Sequence, residues 1–503
     1  MTITRRAATA ALTTLLLPFP AHAATMIDVR DHGAKGDGTT LDSPAINAAI
    51  AAASARPHGG TVAIPAGRYR CYSIRLRSRV TIVLAKGAVI EAATGTGYDL
   101  PEDSGEQLYQ DFGHSHWRNS LIWGEDVEDV AILGPGTIHG IGLTRDGPGA
   151  RWKAQTGERP LSMRQMTAEE IATLEPDSSR MNGLGNKGIA LKNGRNIRLS
   201  GFTMRKCGHF AILATGTRTL HIHDLSIDTD RDGIDLDCVA DTIVERCRVN
   251  TPNDDAIVIK SSFALGRAIP SENVVVRHCA VSGYDLGTML DGSRGMTQAM
   301  APDRDRPTGR IKLGTESNGG YRNILIEDCS FHHCRGLALE TVDGGVMEHV
   351  VARRLTMRDV TTAPLFLRIG DRRRGPARTG VGAIRGVTLE DIDASGIDHR
   401  FAAIIAGLPD HPVEDVRLKH IRLAYCGGGT AADAARQPEE LATAYPEPSM
   451  FGVTPAWGLW VRHARGLVVD GLTLATATPD ARPPFRVQDG AAIRVTNTPL
   501  WRG

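Results

Sequence analysis

A short β-type segment recurs along most of this chain, and its recurrence limits the fold more than any other feature. Nine segments align on their apolar positions, and they begin at Asn196, Thr219, Asp241, Asn273, Asn323, His349, Gly386, Asp415 and Gly466. The seventh position of every segment is apolar or Cys. Alternating apolar residues bounded by Gly, Asn and Asp are typical of strands, and their repetition indicates a solenoid. The sequence therefore predicts an all-β coil of stacked rungs in a single domain.

The spacing between segments is 23 and 22 residues at first and reaches 51 residues later. We interpret the excess as loops inserted at rung corners, where binding specificity usually lies. These insertions cover residues 102–118, 144–188, 289–307 and 427–448, and the second contains an amphipathic run at 166–174. In the same frame Cys247, Cys279 and Cys329 share one inward position, which favours packing over disulfide formation for these three.

The first 23 residues are predicted to be a signal peptide. Arg5 and Arg6 precede a short apolar run at 7–17, and residues 21–23 form a small-x-small cleavage motif. The apolar run is too short to cross a bilayer. We therefore expect an exported protein, periplasmic or extracellular, whose mature chain covers residues 24–503.

Residues 24–95 are predicted to form an N-terminal cap and the first rungs. Ser43 as N-cap and Pro44 at the first helical position predict a helix through the Ala-rich run 45–53. Strands are predicted at 61–65 and 80–84. The helix is expected to cover the open end of the β-structure, whose strand edges are otherwise unpaired.

Charge and motifs exclude several classes of function. The formal net charge is +1, which gives no general reason to expect a nucleic-acid or membrane partner. The sequence has no nucleotide-binding loop, no zinc-type Cys/His spacing and no serine nucleophile elbow. We therefore expect no cofactor and no metal, and a monomer.

Three carboxylates and a histidine are predicted to share one face of the coil. Counting 13 residues from the segment starts gives His209, Asp232 and Asp254 on consecutive rungs, with Asp255 beside the last. Acids that face one another across a rung should raise at least one pKa. A single Asp in such a place is more often a turn residue that binds backbone amides, and a single His is more often packed. The set of three acids instead indicates acid/base chemistry.

Basic residues follow on the next rung. Strand alternation places Arg310 and Lys312 on the same side, which suits a ligand that carries a carboxylate. A solvated or internally salt-bridged strand face explains the pair equally well. Lys260, six residues after Asp254, either reaches the same site or pairs with an Asp.

Four sequence blocks, at residues 230–235, 253–257, 259–261 and 310–312, resemble the signature blocks of glycoside hydrolase family 28, the polygalacturonase and rhamnogalacturonase family. The opening residues 32–38 also resemble the N-terminal cap of pectin-active β-helices. The resemblance implies a right-handed parallel β-helix. It also implies hydrolysis, with inversion, of galacturonate-containing bonds in an acidic plant cell-wall polysaccharide or oligosaccharide.

Carried over to this chain, the resemblance assigns a role to each candidate residue. It implies that Asp254 is the general acid and that Asp232 and Asp255 activate the water. Arg310 and Lys312 match the basic pair for the substrate carboxylate, and His209 and Lys260 join the substrate site. We expect the acid and the base to lie about 6.5–9.5 Å apart, as in other inverting glycosidases, with the rungs about 4.8 Å apart.

Two blocks depart from the family pattern. The Asn-Thr-Asp block is Asp-Arg-Asp at 230–232, and the Gly-His-Gly block, expected at 283–287, contains no histidine. These departures favour a rhamnogalacturonan-type substrate, with His209 supplying the missing imidazole. The insertions suit exo action on oligosaccharides.

Two other functions fit the same fold. A polysaccharide lyase would hold Ca²⁺ with the acids and use Arg310 as its base. A non-catalytic carbohydrate-binding β-helix would need neither role, and the retention of both acidic turns argues against it.

Overall fold

The computed structural model describes residues 26–102, 110, 112–144, 181–302, 305–376 and 379–502. The predicted signal peptide and the amphipathic run at 166–174 lie outside these residues. Within them the chain is almost entirely β-structure, and every ladder pairing between named strands is parallel. No helix of this part is long and apolar enough to span a membrane.

The strands stack in three parallel ladders that run the length of the coil. The first ladder contains Ile27–Asp28, Gly60–Ile64, Val80–Leu84, Glu128–Leu133, Arg195–Ser200, Arg218–His223, Ala240–Glu245, Ser271–Arg277, Tyr321–Glu327 and Arg494–Thr496. The second contains Asp37–Leu41, Gly67–Cys71, Ala88–Ala92, Thr137–His139, Thr203–Arg205, Ser226–Asp228, Arg248–Asn250, Ala280–Ser282 and Ser330–Cys334. Later in the chain, long strands join these two ladders: Val346–Val360, Ala383–Ile397, Val413–Tyr425 and Val468–Thr476.

The third ladder is the one that carries the candidate site. It contains Ile74–Arg75, Ile122–Glu125, Lys187–Lys192, Phe210–Thr215, Asp232–Asp237, Ile257–Ser261, Ile311–Ser317, Leu337–Thr341, Leu365–Ile369, Ala403–Ala406, Leu459–Arg465 and Phe485–Ala491. Four α-helices are described: α1 Ser43–Ser54, α2 Phe112–Ser115, α3 Thr288–Asp291 and α4 Ala431–Ala434. Val29–His32 and Pro448–Phe451 are short 3₁₀ helices.

The predicted repeat frame coincides with a backbone feature. All nine segment starts have left-handed backbone, with φ between 52° and 73°. Gly adopts this conformation without strain and Asn and Asp tolerate it, which explains why these residues predominate at the position. The side chains also stack from rung to rung: the amide of Asn273 donates to Asp241 Oδ1 at 2.9 Å, and that of Asn323 donates to Asn273 Oδ1 at 3.1 Å.

The seventh position of each segment lies in the core, as predicted. All nine side chains are buried and belong to one apolar cluster, which extends from Ile27 to Leu474. Cys247, Cys279 and Cys329 pack in this inward column. All eight cysteines are free thiols, and only Cys426 is exposed. One continuous core confirms the single-domain, all-β prediction.

The N-terminal cap also forms as predicted, apart from its first turn. Helix α1 buries Ile46, Ala49 and Ile50 against the apolar cluster. Its N-cap is Asp42 and not Ser43, and Asp42 makes no side-chain cap bond. The carboxylate of Asp42 instead accepts hydrogen bonds from the backbone N–H groups at positions 35 and 36, which fixes the preceding loop.

The inward column can be tested with one pair of neighbours on a long strand. Ile421 points into the core, whereas Arg422 points to solvent. We expect Ile421→Ala to lower the free energy of unfolding by about 2–5 kcal/mol, because it leaves a cavity, and Arg422→Ala to change it by less than about 0.5 kcal/mol. The midpoint of urea unfolding measures both, and equal effects would contradict the inward assignment.

Candidate active site

The third ladder brings the predicted site residues together. Its strand Asp232–Asp237 lies between Phe210–Thr215 and Ile257–Ser261, and Ile311–Ser317 follows on the next rung. The starts of these strands, and the turns that lead into them, supply six of the seven candidates. The seventh, Lys260, lies within its strand and reaches the same centre.

The predicted column is displaced by one residue. Asp232 pairs with Phe210, so His209 is level with Arg231 and not with Asp232. The corner turn that leads into Asp232 is one residue shorter than the corresponding turn one rung below, and counting from the first ladder misses this difference. The guanidinium of Arg231 donates to His209 Nδ1 at 3.4 Å, so the imidazole reaches the acids through Arg231.

The three predicted acids form a tight group. One oxygen from each of Asp232, Asp254 and Asp255 lies within 4.8 Å of the others. Asp232 and Asp255 are buried, whereas 25% of the Asp254 side chain is exposed. Burial raises the pKa of Asp232 well above its usual range, and the charge of Asp254 adds to the effect. The expected rise of one pKa is therefore present, and it falls on Asp232.

The spacing differs from the expected one. An acid and a base 6.5–9.5 Å apart were predicted, and the nearest carboxylate oxygens of these three residues lie closer than that. The reason is geometric, since Asp232 lies one rung away from the adjacent pair Asp254 and Asp255, and neighbouring parallel strands are only about 4.8 Å apart.

Arg231 controls the charge of Asp254. Its Nε and Nη2 donate to the same oxygen, Asp254 Oδ2, at 3.0 and 2.7 Å. Burial alone would raise the pKa of Asp254, but the charges of Arg231 and Lys260 outweigh it and hold that pKa below its usual value. Of the two coupled carboxyls, Asp232 therefore holds a proton more readily than Asp254 does.

Lys260 lies at the centre of a second group of charges. Its Nζ is 2.8 Å from Asp235 Oδ2, 3.7 Å from Asp232 Oδ2 and 3.6 Å from Glu316 Oε2. Burial alone would lower the pKa of Lys260, but these carboxylates raise it well above its usual value. His114 Nε2 contacts the same ammonium and lies 3.2 Å from Asp235 Oδ2.

Arg310 and Lys312 are paired within the protein. Arg310 Nε donates to Asp255 Oδ1 at 2.8 Å, and its two terminal nitrogens donate to the two oxygens of Glu447. Lys312 Nζ is 3.4 Å from Asp255 Oδ2 and 3.6 Å from Glu340 Oε2. Both basic side chains are buried. The internally paired alternative is the one that the structure shows.

His209 is buried against Phe210, with ring centroids 4.5 Å apart. Burial lowers the pKa of His209 well below its usual value, and the neighbouring Arg231 and His114 lower it further. It is therefore a neutral imidazole beside the acids. The block at 283–287 contains no imidazole; its Asp285 anchors the following loop at Thr297 and Gln298, and the Gln298 amide donates to Asn253, the neighbour of Asp254.

Sequence reasoning missed several residues of this site. His114, Glu316, Glu340 and Glu447 were not among the candidates, although His114 and Glu447 lie in two of the predicted insertions. For His114 and Glu447 a polar insertion was the only signal, and it does not specify which side chain turns inward. Glu316 and Glu340 lie on strands of the third ladder.

Two groups of side chains at the site have metal-ligand geometry. They are the three acids already described, and His114 with Asp232 and Asp235. The ammonium of Lys260 lies against Asp235 and Asp232, so the protein itself supplies a cation to the second group. Carboxylate oxygens suit Ca²⁺, but a resident lysine competes with it for the same oxygens.

Comparisons with known proteins agree with this architecture. Residues 26–111 match the family model described as rhamnogalacturonase A/epimerase, pectate lyase-like, and residues 168–297 match the right-handed β-helix region. The chain is 23% identical over 434 residues to a probable polygalacturonase of Vitis vinifera, covering 80% of this chain and 74% of the relative.

Solved structures show the same fold. The family 28 exopolygalacturonase of Yersinia enterocolitica aligns with a TM-score of 0.63 and 18% identity, over 93% of this chain and 78% of its own. The exopolygalacturonase of Thermotoga maritima aligns with a TM-score of 0.63 and 19% identity, over 93% and 96%. The resemblance to glycoside hydrolase family 28 is confirmed.

Within the pattern of family 28, Arg231 stands where the Asn-Thr-Asp block has a neutral residue. The exchange has a direct electrostatic effect, because the guanidinium binds the acid one rung away. An opposite charge in contact lowers the pKa of an Asp by about 1–3 units. The residue that the family pattern makes the general acid therefore starts, in this chain, in its ionised form.

Replacing Arg231 tests which carboxyl donates the proton. A general acid must be protonated, so activity is lost as the pH rises through its pKa. If Asp254 is the donor, Arg231→Gln raises its pKa and moves the alkaline limb of kcat/KM to higher pH by about 1–3 units. Arg218→Gln, a control on an exposed part of the first ladder, should leave the limb in place. An unmoved limb in Arg231→Gln would show that the group that titrates in the free protein is Asp232.

Proposed function

We propose that this protein is an inverting glycoside hydrolase that cleaves galacturonate-containing bonds of pectic polysaccharides or oligosaccharides, of the rhamnogalacturonan or galacturonan type. One observation carries the proposal: three carboxylates lie within 4.8 Å of one another, and one of them has a strongly raised pKa. Acid/base cleavage of a glycosidic bond needs a proton donor and a carboxylate base together. The relatives named polygalacturonase and exopolygalacturonase support the substrate class.

Exposure supports the assignment of the donor. Asp254 is the most accessible of the three acids, so it is the one that contacts the glycosidic oxygen. Its proton goes to that oxygen as the bond to C1 breaks. Asp232 holds the proton in the free protein, and we propose that a bound sugar displaces Arg231 from Asp254 and allows the proton to pass between the two carboxyls.

The water is activated on the inner side of the site. It attacks C1 and gives its proton to Asp255 or Asp232, which lie deeper than Asp254. Asp255 is oriented for this role by the hydrogen bond from Arg310 Nε and by the ammonium of Lys312. Each turnover therefore adds one water across the bond, and the proton that the acid loses is replaced from the base side.

The same contacts disfavour a lyase. A lyase base must give up its own proton before it takes one from the sugar. Burial alone would lower the pKa of Arg310, but the carboxylates of Glu447, Asp255 and Glu340 raise it well above its already high value. This side chain therefore stays charged and cannot act as a base.

The mode and place of action complete the proposal. The two insertions at 102–118 and 427–448 supply His114 and Glu447 to the site, and loops that border a cleft in this way suit exo action. The features of residues 1–23 support export to the periplasm or the exterior. We expect the mature protein to act as a monomer without a cofactor.

Product analysis tests the reaction. The mature protein is incubated with polygalacturonate and with rhamnogalacturonan I oligosaccharides, with and without chelator. We expect saturated products, unaffected by chelator, and a loss of about 10²–10⁴-fold in kcat for Asp254→Asn. Asp241→Asn, at a rung corner of the first ladder, is the control and should retain full activity. Unsaturated ends that vanish with chelator would show a lyase.

Stereochemistry tests the role of the water. Proton NMR during the first minutes of hydrolysis reports the anomeric configuration of the new reducing end. We expect inversion, because the water is activated between two buried carboxylates. Retention is the alternative outcome that the short carboxylate spacing allows, since retaining enzymes hold their two carboxyls about 5–5.5 Å apart. It would make one of the inner acids a nucleophile.

A further inference from the structure

The guanidinium of Arg310 is already bound by a carboxylate of the protein in the way in which a basic subsite binds a uronate. Nη1 donates to Glu447 Oε2 at 3.0 Å, and Nη2 donates to Glu447 Oε1. Two parallel N–H···O bonds from one guanidinium to one carboxylate form the bidentate geometry that makes Arg selective for such groups. Arg310 is 1% exposed, so solvent does not weaken this contact.

The backbone around Glu447 holds its carboxylate in place. Pro446 and Pro448 flank it, which restricts the backbone on both sides. Arg335 Nη1 approaches Glu447 Oε1 at 3.2 Å as a second cation. Two residues earlier, Tyr445 places its ring 5.7 Å from Lys312 Nζ and its hydroxyl 3.1 Å from the hydroxyl of Thr315. The end of the insertion is therefore fixed against the site.

Charges in this part of the site are already balanced. Three buried cations, Arg310, Lys312 and Arg335, face three acids, which are Asp255, Glu340 and Glu447. A sugar carboxylate bound here would be a fourth anion in a desolvated place, where like-charge contact is costly.

Glu340 is the least compensated acid of this group. It is fully buried, and among the described residues neither of its carboxylate oxygens accepts a hydrogen bond. Burial raises the pKa of Glu340 to about 7, and the charges of Glu447 and Asp255 oppose the lowering effect of Lys312 and Arg310. Because burial drives even this carboxyl toward its neutral form, a further desolvated carboxylate in the same place would be costly.

We propose that the subsite beside Arg310 takes an uncharged sugar, because Glu447 occupies the place of a substrate carboxylate. This rests on the proposed function and narrows it. The bond that is cleaved then joins a galacturonate on one side to a sugar without a free carboxylate on the other. Such a sugar is either neutral by nature, as in an alternating pectic chain, or a uronate whose carboxyl is esterified.

Binding measurements test this without relying on turnover. Calorimetry compares trigalacturonate, its fully methyl-esterified form and an alternating acidic/neutral oligosaccharide of equal length, each on the Asp254→Asn protein. With Glu447 present, we expect the methyl-esterified form, the alternating oligosaccharide or both to bind more tightly than trigalacturonate, which is the free acid. Tighter binding of the alternating chain alone identifies a neutral sugar, and tighter binding of the ester alone identifies an esterified uronate.

Adding Glu447→Gln should raise the affinity for trigalacturonate, relative to that for the tighter-binding of the other two ligands, by about tenfold or more. The reason is that Arg310 then lacks its internal carboxylate partner and can bind that of the sugar. Glu440→Gln, in the same insertion but paired with Arg462, is the matched control and should leave the ratio unchanged. If the Gln variant does not fold, Glu447→Asp is used; it breaks the bidentate contact but keeps a charge nearby, so we expect a smaller shift in the same direction.

Two results would overturn the proposal: tighter binding of the free acid with Glu447 in place, or a ratio that Glu447→Gln leaves unchanged. Hydrolysis of the same three oligosaccharides by the protein with Asp254 intact tests the hydrolase function separately from the uncharged subsite. If none is cleaved and the binding ratio still shifts, the subsite charge is established and the hydrolase assignment is the part that fails.

Discussion

Parallel pairing of successive rungs is the constraint on which the site depends. Each rung of the third ladder lies one strand spacing from the next, so charged residues at the starts of consecutive strands cannot avoid one another. Asp232 and the pair Asp254 and Asp255 are brought within contact range by the same hydrogen bonds that build the fold. The grouping of the acids is therefore a property of the coil.

Close stacking of acids requires compensation, and the protein supplies it from within. Lys260 lies among three carboxylates, Arg372 contacts Asp343 and Glu316, and Arg310 lies between Asp255 and Glu447. A buried charge that loses its partner is strongly destabilising, so these contacts hold one another in place. The result is a rigid polar site in which two carboxyls, those of Asp232 and Glu340, are the exceptions, since burial outweighs the neighbouring cations and raises their pKa values.

The sequence predicted the parts that repeat. The stacked rungs and the apolar seventh positions follow from periodicity, and the grouping of the acids follows from their place within it. The one-residue displacement of Asp232 relative to His209 shows the limit of this reasoning, because a single shorter corner changes the register without altering any apolar position. His114 and Glu447 were beyond its reach, since both come from insertions that have no period and are positioned by tertiary contacts alone.

Arg231 and Glu447 have a common effect on what this site can accept. Arg231 places a positive charge against Asp254, which we propose as the proton donor, and Glu447 places a negative charge against Arg310. Arg231 contacts Asp254 where a proton would otherwise bind, and Glu447 contacts Arg310 where a substrate carboxylate would otherwise bind. In the mechanism we propose, a ligand displaces Arg231 from a partly exposed contact, whereas the contact of Glu447 with Arg310 is buried and fixed on both sides. The guanidinium of Arg231 is therefore suited to move during a turnover, whereas the carboxylate of Glu447 is suited to stay in place and select the sugar.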